Sequence, residues 1–269
     1  MGAAVTEAGE TAEAGADLPT LCTLWIGPKL PDFHHLCLKS WLAMGHPVRF
    51  YSYDPVENVP EGVQICDAAS VFPRSRLEDP ELKMHPVIRS DIWRIAMLRR
   101  GLGIWCDADV LLLRPIPRPK TLLLGVEHHG LPCVAVMWWP KDHPALAEIM
   151  DVFDRVGLGP WSYAKPIWKR FQKFIAFQKR DFTDYPWNHW GRHAFEYYVK
   201  KFNLKDQQLG HRSFFAPEVY AGELFQARPF QHLLDDPEVI GLHCFYKPDA
   251  EFQAAPEGSL IHWAKQRYA

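Results

Sequence analysis

The first half of the chain alternates apolar, strand-forming runs with segments whose apolar residues recur at helical spacing. Leu21 to Ile26 predicts a buried strand, closed by Gly27-Pro28. Asp32 predicts the N-cap of an amphipathic helix that ends at Gly45, and Val48 to Tyr53 predicts the next strand. A strand–helix–strand order brings two parallel strands into one sheet. We therefore predict an α/β fold, with a mostly parallel, Rossmann-like sheet flanked by helices.

The alternation continues to about residue 156 and then becomes less regular. A helix is predicted from Pro86 to Arg100, and the strand Ile104 to Cys106 leads directly into Asp107. The other predicted strands are Val63 to Cys66, Leu122 to Val126 and Val134 to Trp138, with an apolar run at Val110 to Leu113 and strand-like runs at Val239 to His243 and Leu260 to Trp263. The other predicted helices are Pro144 to Val156, Ile167 to Gln178 and Arg192 to Phe202.

No repeat or linker divides the chain. Residues 19–269 are therefore predicted to form one domain with a helical insertion. Residues 1–18 are rich in Ala, Gly and Glu, which predicts a disordered tail.

Composition and charge exclude several classes of protein. The chain has 269 residues, 48% apolar and 23% charged, which is ordinary for a soluble globular protein. A net charge of −2 gives no support to a nucleic-acid partner. The six cysteines form no Cys-x-x-Cys pair, which argues against a zinc ribbon and favours buried thiols in a reducing compartment. No apolar run approaches the ~20 residues of a membrane span, so we expect a cytoplasmic location.

Two carboxylates, Asp107 and Asp109, follow a very apolar strand. Residues two apart in an extended chain point to the same side, so both can serve one site. Carboxylate oxygens suit Mn²⁺ or Mg²⁺, which also bind diphosphate oxygens, and ligands of α/β sheets bind where strands end. An Asp-x-Asp run alone also fits a solvated turn.

Asp91 and Arg94 lie three residues apart on the helix that precedes this strand. The Arg94 guanidinium is a planar, permanent cation that suits phosphate, and the Asp91 carboxylate can accept hydrogen bonds from sugar hydroxyls. The alternative is an ordinary ion pair on the helix surface.

These residues together resemble the signature of DXD-containing glycosyltransferases, whose pattern is Ser-Asp-x-x-Arg, Leu, Gly-Gly-x-Tyr-x-Asp-x-Asp. That group includes the family 32 enzymes, among them α-1,4-galactosyltransferase-like and capsular polysaccharide enzymes, and the clostridial glucosylating toxins. The resemblance covers roughly residues 20–145. The stretches that carry it are Leu24 to Gly27, Cys37 to Trp41, Ser90 to Arg94 with Leu98, and Gly103 to Asp109.

The resemblance implies a GT-A fold, a nucleotide-sugar donor, a divalent cation and retention of anomeric configuration. It places Trp25, Ile26 and Gly27 beside the nucleotide and implies that Asp91 and Arg94 hold the donor sugar and diphosphate. It implies that Asp107 contacts ribose or sugar, directly or through the ion, and that Asp109 ligates the metal directly. Asp91, Arg94 and Asp107 are the implied catalytic residues. The chain departs from the pattern at Leu102, where Gly is usual, and at Trp105, where Tyr is common.

A further metal or phosphate ligand is expected from the C-terminal part of the chain. His243, with Lys247 four residues on, is the first candidate, and His262 is the second. A neutral imidazole can ligate Mn²⁺ and a lysine can hold diphosphate, although a hydrogen-bonded structural histidine is the alternative for each. The pairs His34-His35 and His128-His129 are interpreted as loop residues, and Glu127 and Asp142 as spare acids near the site.

Residues 161–180 interleave aromatic and basic side chains. A basic helix with one aromatic face can lie on an anionic membrane, which would suit a lipid-linked acceptor at the inner membrane face. A helix packed on the core with a solvated basic face explains the same pattern.

We therefore predict a retaining transferase that moves a hexose from a nucleotide-sugar, a UDP-sugar in preference to a GDP-sugar, to a saccharide or lipid-linked acceptor. One alternative is a catalytically silent carbohydrate-binding module of the same fold. Another is a metal-dependent nucleotide-sugar hydrolase, which would need a water-activating histidine, and no histidine lies close to Asp107 in sequence.

Overall fold

The structure is a computed structural model that describes residues 18–127, 130–155, 159–164, 189–220, 222–245 and 249–268. The strands are β1 Leu21–Trp25, β2 Val48–Ser52, β3 Gln64–Asp67, β4 Ile104–Cys106, β5 Val110–Leu112, β6 Leu123–Val126, β7 Pro132–Trp138 and β8 Gly241–His243. Six of them form a central sheet in the order β3-β2-β1-β4-β7-β6, in which β7 runs antiparallel to its neighbours. A two-stranded antiparallel sheet pairs β5 with β8.

Helices cover both faces of the central sheet. They are α1 Asp32–Ala43, α2 Arg74–Leu77, α3 Pro86–Arg99, α4 Pro144–Asp154, α5 Ala194–Lys201, α6 Pro217–Tyr220, α7 Gln231–Asp235, α8 Asp249–Ala254 and α9 Leu260–Tyr268. Alternate residues of β1 enter different cores, as the period of two requires: Cys22 and Leu24 pack with α3 and α4, whereas Leu21 packs with α1. The predicted α/β fold, a mostly parallel sheet flanked by helices, is confirmed.

Most predicted elements of the first half have observed counterparts within one or two residues of the predicted bounds. Asp32 is the first residue of α1, and Pro31, in an extended conformation, occupies the cap position that Asp32 was expected to hold. The helix predicted from Arg192 begins at Ala194, after a π-turn over His189–His193. The predicted helix Ile167 to Gln178 lies outside the described residues.

One predicted element has the wrong type. The run Leu260 to Trp263, expected to be strand-like, belongs to α9, which buries Leu260, Ile261, Ala264 and Tyr268. That spacing is helical, and it was hidden because the four-residue apolar run was too short to show a period.

Five of the six cysteines are buried and Cys66 is partly exposed; all six are free thiols. Among the described residues, no helix combines the length and apolar character that crossing a membrane requires.

Candidate metal and ligand site

Asp107 and Asp109 lie at the carboxyl end of β4, where the chain turns sharply toward β5. The turn is closed by a hydrogen bond of 3.0 Å from the Val110 amide to the Asp107 carbonyl. β5 then pairs with β8, placing Val110 opposite His243, and the Cys244 amide donates to the Asp109 carbonyl at 3.1 Å. This pairing carries His243 to the two carboxylates across more than 130 residues of sequence.

The three side chains form a compact group, which we call the carboxylate–histidine cluster. His243 Nε2 lies 3.3 Å from Asp109 Oδ1 and 3.9 Å from Asp107 Oδ2. One ligand atom from each residue falls within 4.8 Å of the others. His262, the second candidate ligand, lies on α9 beside Gln266 and is not part of the cluster. Lys247 lies outside the described residues.

Burial and mutual charge set the protonation of the cluster. Burial raises the pKa of Asp109, but the charge of His243 and its hydrogen bond outweigh burial and lower that pKa to about 2. Burial lowers the pKa of His243, yet the charge of Asp109 and their hydrogen bond raise it above its ordinary value. Burial raises the pKa of Asp107 against the opposing charge of Arg94. The two carboxylates, Asp107 and Asp109, therefore stabilise positive charge at the carboxylate–histidine cluster.

Arg94 reaches the cluster from α3 and is almost completely buried. Its Nη2 lies 3.2 Å from Asp107 Oδ1 and 3.5 Å from Asp91 Oδ1, and its Nη1 donates to the Val134 carbonyl at 2.6 Å. The guanidinium carbon lies 4.4 Å from the centre of the Trp105 ring. Protein groups thus hold both terminal nitrogens, whereas Nε has no hydrogen-bond partner among the described residues.

Trp105 fixes the orientation of Asp107. Its indole Nε1 donates to Asp107 Oδ1 at 2.6 Å, so this oxygen receives hydrogen bonds from both Trp105 and Arg94. The other oxygen, Oδ2, is the one that faces His243. Trp105 therefore supplies a hydrogen-bond donor to Asp107 in addition to its contact with Arg94.

Asp91 is buried beside Arg94, and burial raises its pKa to about 7 against the opposing charge of Arg94. The backbone amide of Gly191, in the π-turn, donates to the Asp91 carboxylate. A Cβ on Gly191 would lie 2.8 Å from Asp91 Oδ2, closer than real Cβ atoms come to other atoms. Nothing in the sequence pattern pointed to Gly191, because it is 100 residues away from Asp91.

A cleft of about 250 Å³ opens beside the cluster. Asp107, Asp109 and Arg94 are charged residues of its lining, and Trp25 and His34 also line it. The residues that line it are Thr23, Leu24, Trp25, His34, Val87, Ser90, Arg94, Trp105, Asp107, Ala108 and Asp109.

His34 corrects an expectation from the sequence. His34 and His35 were interpreted as loop residues but lie in the first turn of α1. The His34 ring contacts the Trp25 ring at 4.9 Å between centroids, and burial lowers its pKa, which favours the neutral form. The signal was available, since a helix that follows β1 points its first turn at the edge where the strand ends.

The other sequence candidates lie apart from the cleft lining. Ile26 is 42% exposed, and Gly27, with a left-handed φ of 152°, follows it in the loop to α1. Glu127 is buried and pairs with Arg192, the residue after Gly191. Asp142 is 87% exposed beside Lys141. His128-His129 and residues 165–180 of the aromatic and basic stretch lie outside the described residues.

Compared with models of known protein families and with curated proteins, the chain gives no significant match. Its chemistry is therefore inferred from the site. Two carboxylates and an imidazole form a ligand set that suits Mn²⁺ or Mg²⁺, and a buried arginine with a tryptophan-walled cleft suits an anion attached to a flat ring.

Proposed function

We propose that the chain is a metal-dependent, retaining glycosyltransferase that moves a hexose from a nucleotide-sugar to a saccharide or lipid-linked acceptor. A UDP-sugar is preferred to a GDP-sugar as donor. The observation that carries the proposal is the convergence of Asp107, Asp109 and His243 beside the cleft. The sequence resemblance to DXD-containing enzymes points to the same residues.

Asp107, Asp109 and His243 would hold Mn²⁺ or Mg²⁺, and they fit this role. Their ligand atoms lie within 4.8 Å of one another, and the electrostatics of the group favour added positive charge. A bound divalent ion supplies a Lewis acid that neutralises the charge of a departing nucleoside diphosphate.

The surrounding residues fix the orientation of the metal-ligating side chains in the absence of bound metal or nucleotide. Trp105 and Arg94 donate hydrogen bonds to Asp107 Oδ1, so the other oxygen, Oδ2, faces His243. Such outer hydrogen bonds fix the direction of a ligating carboxylate and keep a site in its productive geometry. Arg94 also places a permanent cation at the cleft, where the negative charge of a diphosphate would lie.

A metal-dependent nucleotide-sugar hydrolase remains the second candidate, because a specific observation favours it. The pairing of β5 with β8 brings His243 within 3.9 Å of Asp107 despite its distance in sequence, and in a hydrolase His243 would activate water while Asp107 and Asp109 alone held the metal. A hydrolase would release sugar at full rate without an acceptor. A transferase would release it slowly until the correct acceptor is added, and a silent binding module would bind the donor without turnover.

The test is nucleotide release from a panel of UDP- and GDP-sugars, with and without Mn²⁺. We compare wild type with Asp109→Asn, which keeps the shape of the side chain but removes its charge. Asp142→Asn is the matched control, because it removes an acid that is 87% exposed. We expect slow, Mn²⁺-dependent release from one donor in wild type and Asp142→Asn, and loss of at least tenfold in Asp109→Asn.

Two results would contradict the proposal. If no donor bound or turned over in the presence of Mn²⁺, the cluster would not be a nucleotide-sugar site. If Asp109→Asn released nucleotide at the wild-type rate, the carboxylate would not be a metal ligand.

A further inference from the structure

The second ring nitrogen of His243 has no hydrogen bond to fix the plane of the imidazole. Nε2 faces Asp109 Oδ1 at 3.3 Å and Asp107 Oδ2 at 3.9 Å. Nδ1 is buried and has no hydrogen-bond partner among the described residues. A metal-ligating histidine ordinarily donates its other ring N–H to a carboxylate, a carbonyl or water, and that bond fixes the orientation of the ring. Another contact is therefore needed to hold the plane of the His243 ring.

Two phenylalanine rings pack against the His243 ring. Phe215 lies 5.3 Å from it between ring centroids, with an interplanar angle of 82°, and Phe245 lies 4.5 Å from it, with an angle of 44°. The two phenylalanine rings also contact each other at 5.9 Å. Phe215 is buried in the hydrophobic core, whereas Phe245 is 36% exposed. Because aromatic pairs prefer particular relative orientations, these contacts restrict the plane of the imidazole.

The backbone of Phe245 is in an unfavourable conformation. Its φ is 44°, in the left-handed region that glycine adopts freely and that bulky residues avoid. Conformations of this kind persist where the surrounding structure holds them, and they cluster at functional sites. Backbone preference favours glycine at this position, whereas the contact with His243 requires a ring.

We propose that Phe245 is a positioning residue that, together with Phe215, holds the plane of the His243 imidazole so that Nε2 can bind the metal ion. This inference rests on the proposed function, because it concerns one of the metal ligands. Packing fixes the plane of the ring, and the hydrogen bond to Asp109 selects the nitrogen that faces the cluster. A ligand ring already held in one plane loses less freedom when the ion binds, which strengthens binding.

The test measures the affinity of the full chain for Mn²⁺ by calorimetry, without nucleotide. Phe245→Ala and Phe245→Gly remove the ring, whereas Phe245→Tyr keeps it. We expect the first two variants to bind Mn²⁺ roughly tenfold more weakly than wild type and Phe245→Tyr to bind it as wild type does. Phe230→Ala is the matched control, since it removes a phenylalanine that contacts Trp263 at 6.0 Å, and its affinity should equal that of wild type.

Stability without metal separates positioning from a purely structural role. Since a φ of 44° favours glycine, metal-free Phe245→Gly should have a Tm about 2–4 °C above that of Phe245→Ala. Positioning of His243 predicts that the more stable variant still binds Mn²⁺ as weakly as Phe245→Ala. If the affinity for Mn²⁺ recovered with the Tm, Phe245 would act through stability alone and the inference would be wrong.

The remaining outcomes distinguish this inference from the proposed function. If Phe245→Ala bound Mn²⁺ as tightly as wild type, or Phe245→Tyr as weakly as Phe245→Ala, the ring of Phe245 would not position His243. The proposed function would stand in either case. If wild type bound no Mn²⁺, the metal site of the proposed function would fail, and this inference with it.

Discussion

Gly191→Ala is the substitution whose effect follows most directly from the geometry of the site. The alanine Cβ would lie 2.8 Å from Asp91 Oδ2 and 2.9 Å from Asp91 Oδ1. Both oxygens belong to a buried carboxylate that Arg94 and the Gly191 amide hold in place. Neither side of the contact can move without cost, because the π-turn must retreat or the carboxylate must leave its partners.

The expected loss of stability combines two effects. Forcing an extra methyl group into a packed interior costs about 1–3 kcal/mol. Weakening the hydrogen bond from the Gly191 amide to an ionised carboxylate costs about 1.5–3 kcal/mol. We therefore expect Gly191→Ala to lower the free energy of unfolding by about 3–5 kcal/mol at pH 8, where Asp91 is ionised.

Urea unfolding at pH 8 with a chelator present measures this loss. Gly210→Ala is the matched control, because no atom of the described residues lies within 4 Å of its Cβ position and its φ of −58° suits alanine. Its free energy of unfolding should equal that of wild type or rise by about 0.4–1 kcal/mol. In an Asp91→Ser background, which shortens the clashing side chain, Gly191→Ala should cost less than about 1 kcal/mol. If both glycine variants were equally stable, Asp91 would not be held as described.

Two further predictions concern Asp91 and Trp105. The free energy of unfolding of wild type, relative to that of Asp91→Asn, should fall by at most about 4 kcal/mol as pH rises from about 4 to 7 and should then level off. The reason is that the raised pKa of about 7 keeps a proton on folded Asp91, whereas the unfolded chain releases that proton near pH 3.8. Urea unfolding with a chelator at several pH values measures this difference, and a difference that stays constant with pH would contradict the prediction. Trp105→Phe should lower the free energy of unfolding by about 1.5–3 kcal/mol more than Trp139→Phe does. The reason is that Trp105 donates a hydrogen bond to a carboxylate, whereas Trp139 Nε1 has no partner among the described residues. Equal losses in urea unfolding would mean that the hydrogen bond from Trp105 to Asp107 contributes nothing to stability.

The sheet and half of the site were predictable because their signals are local. β1, β2 and β4 are short apolar runs bounded by Gly, Pro or Asp, and these patterns report burial directly. The position of Asp107 and Asp109 followed from the same logic, since a carboxylate directly after a buried strand must lie at the edge of the sheet.

The remaining parts of the site depend on contacts between distant segments. His243 was the first candidate from the sequence for a further ligand, although the pairing that brings it to Asp109 leaves no periodic signal. The approach of Gly191 to Asp91 leaves no such signal either, and Gly191 was not predicted. His34 was missed for a different reason. The pair His34-His35 was interpreted without the helix that contains it, although Asp32 and the apolar spacing had already predicted that helix.

The charges of the site favour an added cation at the cluster. Three carboxylates, Asp91, Asp107 and Asp109, lie close to one permanent cation, Arg94, and to two histidines, His243 and His34. Two of the carboxylates have raised pKa values and His243 also has a raised pKa, so protons partly offset the excess of negative charge. A divalent ion held by Asp107, Asp109 and His243 would supply that positive charge permanently and would displace the proton from His243. Arg94 and Trp105 hold Asp107 Oδ1, so that Oδ2 faces His243 with or without a metal ion. A metal ion would therefore replace the protons of the cluster without a rearrangement of these side chains.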